Sequence, residues 1–153
     1  MNTKRFFPMF FDISQTRILI VGAGTIATRR IEALLEFARS LEVVAVEATS
    51  SIYEWEEQGH LLLKQRKFVW EDLQDKELVL AITDDAALNG RIGQECKKRG
   101  ILVNVASDKS LCDFHFPGLV LEDEIVIGIN AGGQNHRKAK AIKAKIKAAL
   151  SKE

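Results

Sequence analysis

Gly22-Ala23-Gly24-Thr25-Ile26-Ala27 follows a β-branched run, Arg17-Ile18-Leu19-Ile20-Val21, and opens a stretch with Ile31, Leu34, Leu35 and Ala38 at helical spacing. Few folds place a glycine turn directly between a strand and a helix. In the pattern GxGxxA the first glycine allows the tight turn, and the second lets backbone approach a pyrophosphate. The small third position brings helix and strand together. The unpaired N–H groups of the helix start then face the phosphate charge. Downstream, Val43–Val46 reads as a second strand. A partly helical section follows, with Ile52, Trp55 and the Leu61–Leu63 cluster. Lys67–Trp70 reads as a third strand and Glu77–Ile82 as a fourth. A helix from Asp84-Asp85 through Leu88, Ile92 and Cys96 is stopped by Gly100, and Ile101–Val105 is the fifth strand. Alternation of this kind implies right-handed crossovers and an α/β, Rossmann-like doubly wound parallel sheet covered on both faces.

The pattern changes after Asp108. Leu119–Leu121 and Glu124–Ile129 read as a short C-terminal β-hairpin turning at Glu122-Asp123. An amphipathic helix from about Gln134 carries Ile142, Ile146, Ala149 and Leu150 on one side. The expected division is 1–112 for the nucleotide-binding domain and 113–153 for an appendage that packs on that domain or on a second subunit.

Glu47 lies 20 positions after Ala27, where a carboxylate accepts hydrogen bonds from a ribose diol and repels a 2′-phosphate. The pattern therefore favours NAD over NADP, although Arg29-Arg30 on the first helix weakens the discrimination. Gly22, Ala23, Gly24, Thr25 and Ile26 are expected on the pyrophosphate side, with Val46 and Glu47 at the adenosine ribose. Thr83, at the carboxyl edge of the fourth strand, is a further cofactor-facing candidate. The competing structural readings are a glycine turn required by packing alone and helix capping by Thr83 or Asp84.

With 46% hydrophobic residues the chain can bury a core, and two cysteines exclude a disulfide scaffold. Cys96 and Cys112 form no CxxC pair and read as buried free thiols. His60, His115 and His136 share no ligand spacing, so no metal site is expected. No segment approaches the roughly 18–20 apolar residues of a membrane span. Lys4-Arg5 before Phe6-Phe7-Pro8-Met9-Phe10-Phe11 imitates a signal peptide, but Pro8 and Asp12 interrupt it, and a cytoplasmic protein is expected. The net charge of +1 conceals an asymmetry. Residues 134–153 carry seven basic groups and one acidic (+6), against 15 and 20 in 1–133 (−5). No aromatics interleave with the lysines, so nucleic acid is disfavoured, and an anionic small molecule or a protein partner is the better match.

With these elements placed, the chain resembles the precorrin-2 dehydrogenase family, the N-terminal module of siroheme synthases. Carrying the resemblance are Phe7-Pro8-Met9-Phe10, Gly22-Ala23-Gly24 with Arg29-Arg30, and Val43-Val44-Ala45-Val46-Glu47. Ala81-Ile82-Thr83-Asp84-Asp85 with Asn89, Val103-Asn104-Val105, Cys112-Asp113-Phe114-His115-Phe116-Pro117 and Asn130-Ala131-Gly132-Gly133 complete it. The resemblance implies NAD-dependent oxidation of precorrin-2, a polycarboxylate tetrapyrrole, to sirohydrochlorin, carried out by a homodimer. Some members of the family also insert ferrous iron.

Three departures stand out. Where the family writes NVVD-x-P, with the acid implicated in catalysis, this chain has Asn104-Val105-Ala106-Ser107, then Asp108 and Lys109. Ala131 replaces a hydroxyl residue, and Gln134-Asn135-His136 replaces the usual Ser-Pro. Longer members continue into a helical region, whereas this sequence ends at Glu153. Asp108 becomes the candidate catalytic base, with a polar turn residue as its structural alternative. A non-catalytic NAD-binding module or partner subunit, and a bifunctional dehydrogenase and ferrochelatase, are the rival functions.

Overall fold

Five short runs of β-branched residues and leucine build one parallel sheet. The computed structural model describes residues 5–133 and 135–151. The strands are β1 (Ile18–Val21), β2 (Leu41–Ala45), β3 (Leu62–Gln65), β4 (Leu78–Ala81) and β5 (Leu102–Val105), in the order β3-β2-β1-β4-β5. Every residue of β1 and β4 is buried, as the centre of a sheet covered on both faces requires. Crossovers run through α1 (Thr25–Leu35), α2 (Ser50–Glu57) and α3 (Ala86–Arg99). Strand order reverses between β1 and β4, which makes their carboxyl ends the topological switch point.

Leu19, Val21, Val79, Ala81, Val103 and Val105 form one core with Ile92 and Cys96 of α3. Gly93 permits the close approach, since a Cβ there would lie 2.7 Å from Val105 Cγ2. Burial pushes the Cys96 thiol up to about 12, leaving it inert. Gly100, at φ 69°, ends α3 as its spacing predicts, and Ile101 N–H returns to the Cys96 carbonyl at 2.9 Å.

The third strand corrects the sequence reading. It is Leu62–Gln65, and Trp70–Leu73 is a single 3-10 turn. Leu61 and Leu63 are buried while Leu62 is exposed, an alternation that suits a sheet edge. Beyond it, Asp72 draws the chain out of the sheet. Its carboxylate accepts Val69 N–H at 3.0 Å and both terminal guanidinium nitrogens of Arg66 at 2.8 and 2.6 Å. Lys64 joins Asp72 to Glu42, which also pairs with Lys76 at 3.0 Å. This partly buried ion network replaces a crossover helix between β3 and β4.

β5 is an edge strand whose outward backbone groups would otherwise be open to pairing. The segment after it closes them. Cys112 Sγ accepts Val105 N–H at 3.2 Å, the Asp113 carboxylate accepts Val103 N–H at 2.9 Å, and Asp113 N–H donates to the Val103 carbonyl at 2.9 Å. Asn104, 4% exposed, adds a bond from its amide to the Phe114 carbonyl at 2.8 Å. Cys112 is therefore only half-buried, and both cysteines are free.

The chain divides into Asp12–Phe114, described above, and a second unit of Met1–Phe11 with His115–Glu153. In that unit β6 (Gly118–Glu122) and β7 (Ile125–Ile129) pair antiparallel, with Asp123 at φ 47° in the turn. α4 (His136–Leu150) is capped by Asn135, whose side chain accepts Lys138 N–H at 2.9 Å. None of the residues of α4 is buried. Among the described residues no helix is long and apolar enough to cross a membrane.

Candidate dinucleotide site

At the switch point the glycine turn is built into the sheet. Gly22 N–H donates to the Val44 carbonyl at 2.9 Å, and Ile82 N–H to the Val21 carbonyl at 2.8 Å. Gly22 sits at φ 109°, and a Cβ there would fall 2.3 Å from the Ile82 carbonyl oxygen. Only glycine fits. Gly24 differs: at φ −85° it is open to any residue, and a Cβ there meets no atom within 4 Å. Its lack of a side chain leaves space above the start of α1.

That helix start has no side-chain cap and no acid in its first turn, so its first N–H groups and positive dipole end are available to an anion. Ala27 is fully buried against the sheet, as the third position of the pattern requires. Behind the turn, Thr28 Oγ1 donates to the Gly24 carbonyl at 2.8 Å and lies 2.7 Å from Thr49 Oγ1. Thr49 N–H in turn donates to the Ala23 carbonyl at 3.2 Å. Both loops at the carboxyl ends of β1 and β2 are thereby tied together.

Val46 and Glu47 follow β2, both exposed, and Ile26 is exposed on the first turn of α1. Exposed apolar side chains beside an open helix start and a carboxylate form a wall and an acceptor suited to a nucleoside. Arg30 is directed elsewhere, donating to Asn104 Oδ1 on β5 at 2.5 Å. A dinucleotide therefore fits the residues present, which offer an open, uncapped helix start at Gly24, Thr25 and Ile26 and an exposed carboxylate acceptor at Glu47 beside Val46.

The other candidates lie at the ends of β4 and β5. Thr83 Oγ1 is engaged internally, 2.6 Å from Asn89 Oδ1 and 3.1 Å from the Asp85 carbonyl. Helix α3 is capped by neither Thr83 nor Asp84. Its cap is Asp85, whose carboxylate accepts Leu88 N–H at 3.0 Å. Asp108, exposed, caps a 3-10 turn, accepting Ser110 N–H at 2.9 Å and Ser110 O–H at 2.6 Å. Hydrogen bonds from the Ser110 side chain and backbone hold its carboxyl below the ordinary carboxylate value.

Sequence reasoning assigned no role to Asn89. It is 1% exposed and joins the two turns, accepting Thr83 N–H at 3.1 Å and donating to the Thr83 carbonyl at 2.9 Å and to Ser107 Oγ at 3.4 Å. A signal existed: Asn89 heads the stripe Asn89, Ile92, Gly93, Cys96, all buried, so it is a polar residue in a core position. A cleft of about 300 Å³ at the other end of the sheet, lined by Arg39, Glu42 and His60, contains none of these residues. Among the described residues no three His, Cys, Asp or Glu side chains converge to hold a metal.

Comparison with known proteins agrees with this geometry. A family model described as "Putative NAD(P)-binding" matches residues 9–118. The solved structure of SirC, precorrin-2 dehydrogenase, superposes with a TM-score of 0.80 at 30% identity, covering 94% of this chain and 71% of that one. The chain belongs to the precorrin-2 dehydrogenase family. Curated relatives include siroheme synthase 1 of Serratia proteamaculans (strain 568), 32% identical over 145 residues, covering 95% of this chain and 30% of that protein. Siroheme synthase of Pseudoalteromonas atlantica (strain T6c / ATCC BAA-1087) is 36% identical over 129 residues, covering 84% of this chain and 28% of that protein. The chain thus spans less than a third of the length of these curated relatives. The fold shared with SirC is the doubly wound sheet with a small antiparallel hairpin and a C-terminal helix.

Proposed function

We propose that this chain is a precorrin-2 dehydrogenase, oxidising precorrin-2 to sirohydrochlorin with NAD. The observation that carries the reading is the likeness to SirC over 94% of the chain, since the glycine turn alone supports dinucleotide binding and no particular substrate. NAD would supply the hydride acceptor. Gly24, Thr25 and Ile26 bind its phosphates at the start of α1, and the Glu47 carboxylate accepts from the ribose diol. That same carboxylate repels a 2′-phosphate. The turn from Ala106 to Asp108 at the end of β5 lies on the redox side of the crevice, and Asp108 is the candidate acceptor for the substrate proton. Its capping bonds make it a weak base, so proton release to water shares that task.

The seven basic groups of 134–153 give that segment the charge to attract a polycarboxylate macrocycle. Ile142 and Ile146, on a helix with no buried residue, supply an apolar face for a homodimer. A cytoplasmic location suits a nicotinamide-dependent enzyme.

Incubation with precorrin-2 and NAD, followed by absorbance of NADH and of the oxidised macrocycle, tests the activity. Intact NAD binding without NADH formation would favour the second reading, a non-catalytic NAD-binding module. The hydroxyl at Ser107 and the capping use of Asp108 are the observations on its side. Glu47→Ala is expected to weaken NAD about 10- to 150-fold while changing NADP affinity less, because it removes charge-assisted bonds worth about 1.5–3 kcal/mol and a repulsion together. Calorimetric titration with both cofactors checks this. Asp108→Asn is expected to lower turnover less than 10-fold and to flatten its acid limb. A loss above 1,000-fold would instead make Asp108 an essential base.

A further inference from the structure

We infer that Ser107 is the hydrogen-bond donor that meets the nicotinamide end of the cofactor, held in that role by Asn89 as a positioning residue. The inference rests on the NAD-binding reading above. Pyrophosphate at Gly24 and ribose at Glu47 send the adenosine half toward β2, so the nicotinamide half must extend the other way, over β4 and β5. Two inter-strand spacings, about 10 Å, separate β1 from β5, the reach of a ribose and its attached ring. Polar side chains cluster at the ends of β4 and β5, and Thr83, Asp85 and Asp108 among them are engaged locally. Thr83 bonds Asn89 and Asp85, Asp85 caps α3, and Asp108 caps its own turn. Ser107 differs from the other three. Its oxygen accepts from Asn89 Nδ2 at 3.4 Å, and its side chain is exposed.

Asn89 can play only one part toward that hydroxyl. Its Oδ1 is taken by the Thr83 N–H and O–H, and its Nδ2 donates to the Thr83 carbonyl and to Ser107. A hydroxyl that accepts from a fixed amide directs its own proton away from that amide, toward the crevice. The acceptor it meets is the carboxamide oxygen of nicotinamide. Serine at this position contributes orientation where it cannot contribute a base.

ADP-ribose, which contains everything in NAD except nicotinamide, separates this inference from the reading beneath it. Calorimetry of the full chain with NAD and with ADP-ribose is the experiment. Ser107→Ala is expected to weaken NAD roughly three- to tenfold and to leave ADP-ribose within twofold. Ser107→Thr, which keeps the hydroxyl, is expected to recover NAD binding to within twofold of the parent. Asn89→Asp replaces the amide donor with an acceptor, turns the Ser107 proton inward, and is expected to match Ser107→Ala on NAD. Equal effects of Ser107→Ala on both ligands, or on neither, overturn the inference. Parent protein that binds neither ligand overturns the NAD reading itself.

Discussion

Gly22→Ala is expected to destabilise the chain by about 2–6 kcal/mol and to abolish measurable NAD binding, the sum of a disfavoured backbone and an overpacked contact. At φ 109° a side chain is strained, and the added carbon would lie 2.3 Å from the Ile82 carbonyl oxygen and 2.6 Å from its carbon. Both atoms are backbone of Ile82, directly after β4, whose N–H is bonded to the Val21 carbonyl of β1 while Gly22 N–H is bonded to Val44 of β2, so the contact cannot be relieved by a side-chain rotation. Relief requires opening the switch point itself. Gly24→Ala is the informative contrast. There φ is −85° and the added carbon meets no heavy atom within 4 Å, so stability should change by about 0.5 kcal/mol or less. NAD affinity should nevertheless fall, because the methyl group enters the space a pyrophosphate needs. Urea denaturation and calorimetric titration of the two variants separate the roles: one glycine serves the fold, the other the ligand. A Gly22→Ala protein with parental midpoint and affinity would contradict the packing argument.

Local rules are obeyed where the sequence is easy to read. Gly22 marks the switch point because nothing else satisfies its geometry, and Gly100 ends α3 because a left-handed residue closes the helix. Glu47 follows from spacing alone, and the structure leaves it exposed just past β2. What escaped the sequence was decided by side-chain pairings that composition and periodicity do not announce. Phe68-Val69-Trp70 has strand-like composition, yet the carboxylate of Asp72 and the guanidinium of Arg66 take it out of the sheet, placing β3 at Leu62–Gln65. Asn89 is separated from Ser107 by 18 positions, and their contact exists only because β4 and β5 are neighbours. Asp108 reads as an available acid until Ser110 is seen to occupy one of its oxygens. The backbone demands of Gly22 and Gly100 were legible, whereas side-chain pairings were not, whether two positions apart as at Asp108 and Ser110 or eighteen apart as at Asn89 and Ser107.

Asp72→Ala is the second large effect, expected to cost about 1–3 kcal/mol because it strips the acceptor from Val69 N–H and unpairs Arg66 and Lys64, whose partly exposed charges water can still solvate. The Asp72 side chain is 3% exposed and holds Arg66 through two nitrogens, Lys64 at 3.8 Å and Val69 N–H at 3.0 Å. Truncation leaves those donors facing an empty site and frees the turn that takes the place of a crossover helix. Asp72→Asn keeps an acceptor for Val69 and should lose less. Acid should reproduce the defect in the parent protein. Burial pushes the Asp72 carboxyl up, but the bonds from Arg66 and Val69 and the charges of Arg66 and Lys64 outweigh it and hold it below its ordinary 3.8. Glu42 behaves alike: burial raises it, Lys64 and Lys76 lower it further, and the net result lies below 4.5. For groups depressed by folding, the unfolded chain binds protons first, so the stabilisation is complete above those ordinary values and is lost as pH falls through the folded ones. Urea midpoints measured downward from neutral pH should therefore hold until the carboxylate range and then drop, more steeply in the parent than in Asp72→Asn. Added salt should change the neutral-pH difference between them little, because the Asp72 carboxylate is shielded from solvent ions. A difference that collapses in salt would place the cluster at the surface and remove its role in fixing the path from β3 to β4.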